Sequence, residues 1–290
     1  MKFTKMHGCG NDYVYIDGIK EQIKDHKQAA INFSNRHFGV GSDGLIFINH
    51  SDKADFEMEM YNADGSRAEM CGNGIRCVGK YVYDHHLTDK TVLDIDTLAG
   101  IKKLYLNVED GKVYSVTVNM GAPILNPEDI PVNSNYLKGQ QRILEFPIHV
   151  DDREYKVTCV SMGNPHAVVF IDHDEKDLPL EKLGPKFENH PFFPNRVNTE
   201  FVRVIDRKHV DMRVWERGSG ETFACGTGAC AVCVACVLCG KTEDEIEIRL
   251  QGGSLKVRWD RQSDEVFMTG PAVTVFEAET ADISAPIKAF

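Results

Sequence analysis

The sequence has no apolar run long enough to cross a bilayer. The longest, Ala229–Leu238, falls well short of the roughly twenty residues a spanning helix needs, and it is read as a buried core helix. The N-terminus, Met1-Lys2-Phe3-Thr4-Lys5-Met6-His7, lacks the apolar stretch of a signal peptide, so the expected compartment is the cytoplasm. An excess of positive charge is missing too. Against 33 Lys and Arg stand 44 Asp and Glu, for a net charge of −11. That excludes the clustered basic face a nucleic-acid partner needs. No low-complexity tract interrupts the 290 residues, of which 42% are hydrophobic, enough for one large core or two of ordinary size.

Two kinds of site are absent from the pattern. No lysine motif for a pyridoxal cofactor stands out. The acidic run Asp172-His173-Asp174-Glu175-Lys176-Asp177 lacks the mid-loop glycine of a calcium-binding loop, and it is read as a solvated loop.

Cysteine, by contrast, is plentiful and odd in number: Cys9, Cys71, Cys77, Cys159, Cys225, Cys230, Cys233, Cys236 and Cys239. Without a secretion signal such a set predicts reduced thiols, catalytic or packed, and no disulfide framework. Cys230, Cys233, Cys236 and Cys239 sit three apart, a spacing that invites an iron–sulfur reading. Their context is helical and apolar. Residues three apart on a helix advance by about 300°, so these thiols spiral around the axis and do not converge. They are read as small apolar packing residues. Cys9 and Cys77 are read the same way, and His7 as a structural or loop residue.

The chain repeats itself. Phe56-Glu57-Met58-Glu59-Met60-Tyr61 aligns with Val210-Asp211-Met212-Arg213-Val214-Trp215, and the same offset lays Cys71-Gly72-Asn73-Gly74 on Cys225-Gly226-Thr227-Gly228. One residue off that register, Gly10-Asn11 falls on Gly163-Asn164. A duplicated, strand-rich domain is the expectation, with a helix opening after each Cys-Gly-x-Gly, over Gly72 to about His85 and Gly226 to about Leu238. Alternation predicts strands at Phe56–Tyr61 and Val210–Trp215, and apolar stretches predict them at Tyr13–Asp17, Leu45–Ile48, Ala167–Asp172 and Phe201–Ile205. Hairpins are expected around Glu109-Asp110-Gly111 and Gly252-Gly253. Pro123, Pro127 and Pro131, with Asn126, Asn133 and Asn135, mark the expected linker.

A cysteine just before a Gly-x-Gly that opens a helix faces N–H groups with no intrahelical partner and a partial positive charge. Glycine lets a ligand come close to that backbone, so the turn suits an anion such as a carboxylate. It should also favour thiolate over thiol. Two such turns, one from each half, suit a reaction that inverts a Cα–H centre. One sulfur removes the proton and the other delivers one to the opposite face, and the helix ends hold the charge that moves onto the carboxylate. This chemistry needs no cofactor and no metal.

The same residues resemble diaminopimelate epimerase. The resemblance runs almost end to end: His7-Gly8-Cys9-Gly10-Asn11-Asp12, Asn62-Ala63-Asp64-Gly65-Ser66, Cys71-Gly72-Asn73-Gly74-Ile75-Arg76-Cys77, Gly163-Asn164-Pro165-His166, Val197-Asn198, and Glu216-Arg217-Gly218-Ser219-Gly220-Glu221-Thr222-Phe223-Ala224-Cys225-Gly226-Thr227-Gly228. The family implies interconversion of LL- and meso-diaminopimelate in lysine and peptidoglycan-precursor synthesis. It implies an α/β (α+β) fold of two pseudo-symmetric strand-rich domains, each a barrel-like sheet around a central helix, with the active site between them. The domains would be 1–119 plus 273–290 and 120–272, the last strand, near Val273–Glu277, returning to the first. By the resemblance Cys71 and Cys225 are the acid–base pair, and Gly72, Asn73, Gly226 and Thr227 hold the reacting carboxylate. Asn11, Asn62, Asn164, Asn198, Glu216 and Arg217 would hold the rest of the small-molecule substrate. His166 is read equally as a substrate contact or a structural residue, and Glu69 as a solvated loop position. Gly44 stands where many members carry glutamine, so that side-chain contact is not carried over. Members often dimerise, which leaves a homodimer open, and no membrane or nucleic-acid partner is implied.

Two other readings stand beside this one. An epimerase or racemase of another amino acid predicts that Glu216 and Arg217 do not matter for the preferred substrate. A metal or redox protein built on the cysteine-rich helix predicts bound iron.

Overall fold

A computed structural model describes residues 1–137 and 139–280. The chain divides into two compact units, Met1–Val118 with the residues from Gly270 onward, and Asn119–Thr269. Residues 281–290, assigned above to the first domain, lie outside the described residues.

The first unit runs β1 (Lys2–Gly8), β2 (Asn11–Asp17), α1 (His26–Ser34), β3 (Gly44–Asn49), β4 (Phe56–Asn62), β5 (Arg67–Ala68), α2 (Gly72–Asp84), β6 (Val92–Asp96), β7 (Lys102–Glu109) and β8 (Lys112–Gly121). β2 pairs parallel with β3, and β4 with β6; the other neighbours are antiparallel. A parallel pair needs a crossover, and α1 and α2 supply the two. β2 and β3 are buried along most of their length, as strands covered on both faces must be. β4 keeps the period of two, with Phe56, Met58 and Met60 inward. α1 is capped by Asp25, whose carboxylate accepts the Gln28 N–H at 2.9 Å. It sets Ala29, Ala30 and Phe33 into a core with Phe3, Val14, Ile16, Leu45 and Phe47. The β7–β8 turn is the two-residue Asp110-Gly111, with φ of 48° and 74°, the left-handed pair that matches strand twist.

The second unit repeats this wiring: β9 (Phe146–Val150), β10 (Arg153–Ser161), β11 (Pro165–Phe170), α3 (Leu180–Glu188), β12 (Asn198–Val204), β13 (His209–Glu216), β14 (Gly220–Thr222), α4 (Gly226–Leu238), β15 (Glu245–Leu250), β16 (Gly253–Asp260) and β17 (Glu265–Pro271). β11 pairs parallel with β12, and β13 with β15, across α3 and α4. α4 is apolar all round and touches β10, β11, β12, β15 and β16. A sheet that meets one helix through five strands curves around it, and only a helix without a polar face fits there. Cys230, Cys233 and Cys236 are fully buried in this packing. The Cys233 thiol points at the carbonyls of Asp244 and Val257.

The repeat extends to the sheet edge. β9 flanks β10 immediately before it in the chain. The matching place beside β1 is filled by β18 (Val273–Glu279), the last described strand.

Several expectations shift. The proline-rich stretch is no bare linker: Ile124 bridges to Ser161, and Ile130 and Val132 are buried in the core of the second unit. Proline removes ladder hydrogen bonds without preventing burial. α1 and α3 were not anticipated. The acidic run holds a short 3-10 turn in which Glu175 is buried, with Arg203 Nε at 3.1 Å from its carboxylate. The β15–β16 turn is Gln251-Gly252, and Gly253 already belongs to the strand. Among the described residues, no helix is long and apolar enough to cross a membrane.

Candidate active site: two cysteine-capped helix ends

Cys71 is the N-cap of α2, with extended backbone at φ −130° and ψ 119°. Its sulfur accepts the Gly74 N–H at 3.3 Å, and its thiol donates to Asn11 Oδ1 at 3.1 Å. The first turn of α2, with Gly72 and Asn73, is buried. A Cβ on Gly74 would stand 2.9 Å from Ile46 Cδ1 and 3.2 Å from Met58 Cε, so the helix start presses directly on the sheet. Tyr15 hydroxyl donates to the Gly74 carbonyl at 3.1 Å. Arg76, fully buried, donates to the carbonyls of Gly72 and Pro271, each at 3.1 Å, and approaches the Cys9 sulfur at 3.9 Å. Asn62 ends β4 opposite Gly44, with its amide donating to Ser66 Oγ.

Cys225 repeats the arrangement on α4. It is the N-cap at φ −119° and ψ 113°, and its sulfur accepts the Gly228 N–H at 3.4 Å. Thr227 Oγ1 lies 3.5 Å from that sulfur and takes a hydrogen bond from Asn164 Nδ2 at 3.2 Å. His166 is wholly buried between Asn164 Oδ1 and Glu200 Oε1. A Cβ on Gly228 would lie 2.6 Å from Glu200 Oε1. Glu216, at the end of β13, accepts the Thr222 hydroxyl at 2.5 Å, and its charge bears on the Cys225 thiol.

The electrostatics correct one expectation. Burial, then the carboxylates of Glu216 and Glu200, push the Cys225 thiol well up, against the opposing pull of Thr227 and the Gly228 N–H. Desolvation therefore outweighs the helix end, and Cys225 rests as a thiol. Burial also raises Glu216, against the opposing pull of the Thr222 hydroxyl.

Two carried-over residues look different in three dimensions. Asn198 is buried, its oxygen accepting the Arg217 N–H at 2.8 Å and its amide nitrogen donating to the Pro165 carbonyl at 3.1 Å. It clamps β12, β11 and the Arg217 turn together. Arg217 is exposed, its guanidinium donating to the Asn195 carbonyl, with no ion pair among the described residues. Cys77 is fully buried, and that burial pushes its thiol up to about 11. Glu69 is exposed, and His7 accepts the Gly10 N–H. Glu200, Asp43 and Tyr13 were not singled out from sequence. Glu200 carried a signal, a carboxylate directly before the apolar pair Phe201-Val202.

A family model described as diaminopimelate epimerase matches residues 3–125 and 158–275, one stretch around each cysteine. The chain belongs to the diaminopimelate epimerase family. The diaminopimelate epimerase of Agathobacter rectalis is 57% identical over 282 residues, covering 96% of this chain and 99% of that one. The one from Acetivibrio thermocellus is 56% identical over 279 residues, covering 96% and 98%. Among solved structures, a hydroxyproline epimerase from Agrobacterium vitis with bound trans-4-hydroxy-L-proline aligns at a TM-score of 0.67 and 15% identity, over 96% of this chain and 90% of that one. A probable proline racemase from Agrobacterium radiobacter aligns at 0.68 and 14%, over 97% and 92%. At such identities the likeness is one of fold, the strand-rich α+β architecture that diaminopimelate epimerases share with these enzymes.

Proposed function

We propose that the protein interconverts LL- and meso-diaminopimelate without a cofactor, using Cys71 and Cys225 as the acid–base pair. One observation carries the reading: both copies of the topology hold a cysteine N-cap whose sulfur accepts the N–H three residues on, from Gly74 and from Gly228. One cysteine, as thiolate, takes the α-proton; the other, as thiol, gives its proton to the opposite face of the same Cα. The electron pair left at Cα spreads onto the carboxylate. Gly72, Asn73, Gly226 and Thr227, in the first turns of α2 and α4, are the residues to hold it.

Glu216, at the end of β13, suits the ammonium of the substrate's second amino-acid end. Arg217 is exposed and suits the distal carboxylate of a substrate with a second amino-acid end, by a bidentate fork. Asn11, Asn62, Asn164 and Asn198 complete the proposed binding set, the last through the Arg217 backbone it holds. The family places this activity in lysine and peptidoglycan-precursor biosynthesis, and a cytoplasmic homodimer belongs to the same reading.

The test is α-proton exchange and epimer ratio in deuterated water, for LL-diaminopimelate, meso-diaminopimelate and proline, with reduced protein and no added cofactor. Exchange of diaminopimelate alone, lost in Cys71→Ala and in Cys225→Ala, supports the reading. Absence of exchange on diaminopimelate ends it.

A further inference from the structure

Asn11 and Asn164 hold equivalent places in the two copies, each following a glycine with positive φ, Gly10 at 81° and Gly163 at 98°. Their amides point in opposite senses. Asn164 gives its oxygen to His166 and turns its N–H to Thr227 at the helix end. Asn11 gives its N–H away, to Asp43 Oδ2 at 2.8 Å, and turns its oxygen to the Cys71 thiol. The cause is the partner. Asp43 is ringed by donors: Asn11 Nδ2, the Asp12 N–H at 3.2 Å and Arg36 Nη2 at 3.0 Å. A carboxylate so surrounded only accepts, so the Asn11 amide has one orientation.

We propose that Asp43 is a positioning residue for the acid–base chemistry: by accepting the Asn11 amide it aims an acceptor at Cys71 and keeps that sulfur a hydrogen-bonded thiol until substrate arrives. The inference rests on the assignment of Cys71 above. It divides the labour between the half-sites, with an amide oxygen as the partner of Cys71 and a carboxylate as the partner of Cys225. The charged groups around the pair are few. Asp12 is held by Lys5 and Arg36 and pushed down by them. Asp43 itself is raised by burial and by Asp12, with Asn11 and Arg36 opposing. The Tyr13 hydroxyl hydrogen-bonds with Asn11 and Cys71, and burial raises it well above its ordinary value, so it stays a neutral partner.

The experiment reads Cys71 alone. Reduced full-length protein is alkylated with iodoacetamide across pH, and the rate at Cys71 is followed by peptide mass spectrometry. In Asp43→Ala the Asn11 amide is free to turn its N–H to sulfur, which favours thiolate. The apparent pKa of Cys71 should fall by about one unit, for about tenfold more thiolate below both values, with Cys225 unmoved. Loss of the Asp43 charge alone would also lower it, so Asp43→Asn is the control. It removes the charge, is close in shape and keeps an oxygen for Asn11. The proposal expects less than half the shift of Asp43→Ala. An equal shift in both variants, or no shift in Asp43→Ala, overturns it. The titration needs no turnover, so a failed exchange assay on diaminopimelate would end the functional reading while leaving the Asn11 geometry measurable.

Discussion

Glu200 Oε1 stands 2.7 Å from His166 Nδ1, and both side chains are sealed from solvent. Removing one partner of a buried polar pair costs more than the pair is worth, because the other is left without compensation. Glu200→Ala is therefore expected to destabilise the protein by about 3 kcal/mol, and Glu200→Gln by less. Urea unfolding of both variants checks the order. Equal costs would show that shape, and not the proton shared with His166, is what Glu200 supplies.

The buried thiols set an alkaline limit on stability. Cys77 is fully buried, which moves its pKa from 9.0 to about 11. A raised folded-state pKa means that the folded protein holds the proton longer than the unfolded chain does. The contribution is whole below about 9, and is lost as pH rises toward about 11, by about 3 kcal/mol at 1.36 kcal/mol per unit. Cys77→Ala should flatten that part of the stability profile, measured as Tm against pH. It should also lower stability at neutral pH through the lost packing.

Gly184 in α3 tests how tightly the second unit is packed. Alanine is normally the better helix residue, by up to about 1 kcal/mol. Here its Cβ would lie 2.2 Å from the Trp215 ring, whose indole N–H is fixed on Glu188 at 2.7 Å. Neither neighbour yields cheaply, so Gly184→Ala should destabilise by about 1–3 kcal/mol. A rise in Tm would refute the close approach.

Arg217 separates substrates. If its guanidinium takes the distal carboxylate, Arg217→Ala should lower kcat/KM for diaminopimelate about 10- to 100-fold, the worth of a charged hydrogen bond. Stability should change little, because the side chain is exposed and donates only to the Asn195 carbonyl. An unchanged kcat/KM would favour an amino acid with no second charged end.

The parts of this molecule legible in its sequence are those written in short range. Cys-Gly-x-Gly twice at one offset located both helix starts, because a cap and its glycines are neighbours in the chain. Asp110-Gly111 likewise located a turn. α3 escaped because its local signals point the wrong way: Pro179 at the cap makes no side-chain hydrogen bond, and Pro185 sits inside the helix. It holds through Phe187, Leu180 and the Trp215–Gly184 contact, all dependent on distant chain. The site shows the same division. Cys225 was legible as a cap, yet its raised pKa depends first on burial and then on Glu216 and Glu200, which other strands bring to it. Asn198 was legible as an important amide, but only pairing across β11 and β12 shows its polar atoms engaged with backbone.

β18 has a consequence for birth rather than for catalysis. β1 leaves a ribosome long before the strand it pairs with, Val273–Glu279, has been made. The second unit carries its own edge strand, β9, in sequence and can finish its sheet as it emerges. The first must wait with one side of β1 unpaired, a template for wrong partners, until Val273–Glu279 has emerged. The half begun first is thus completed after the half begun second.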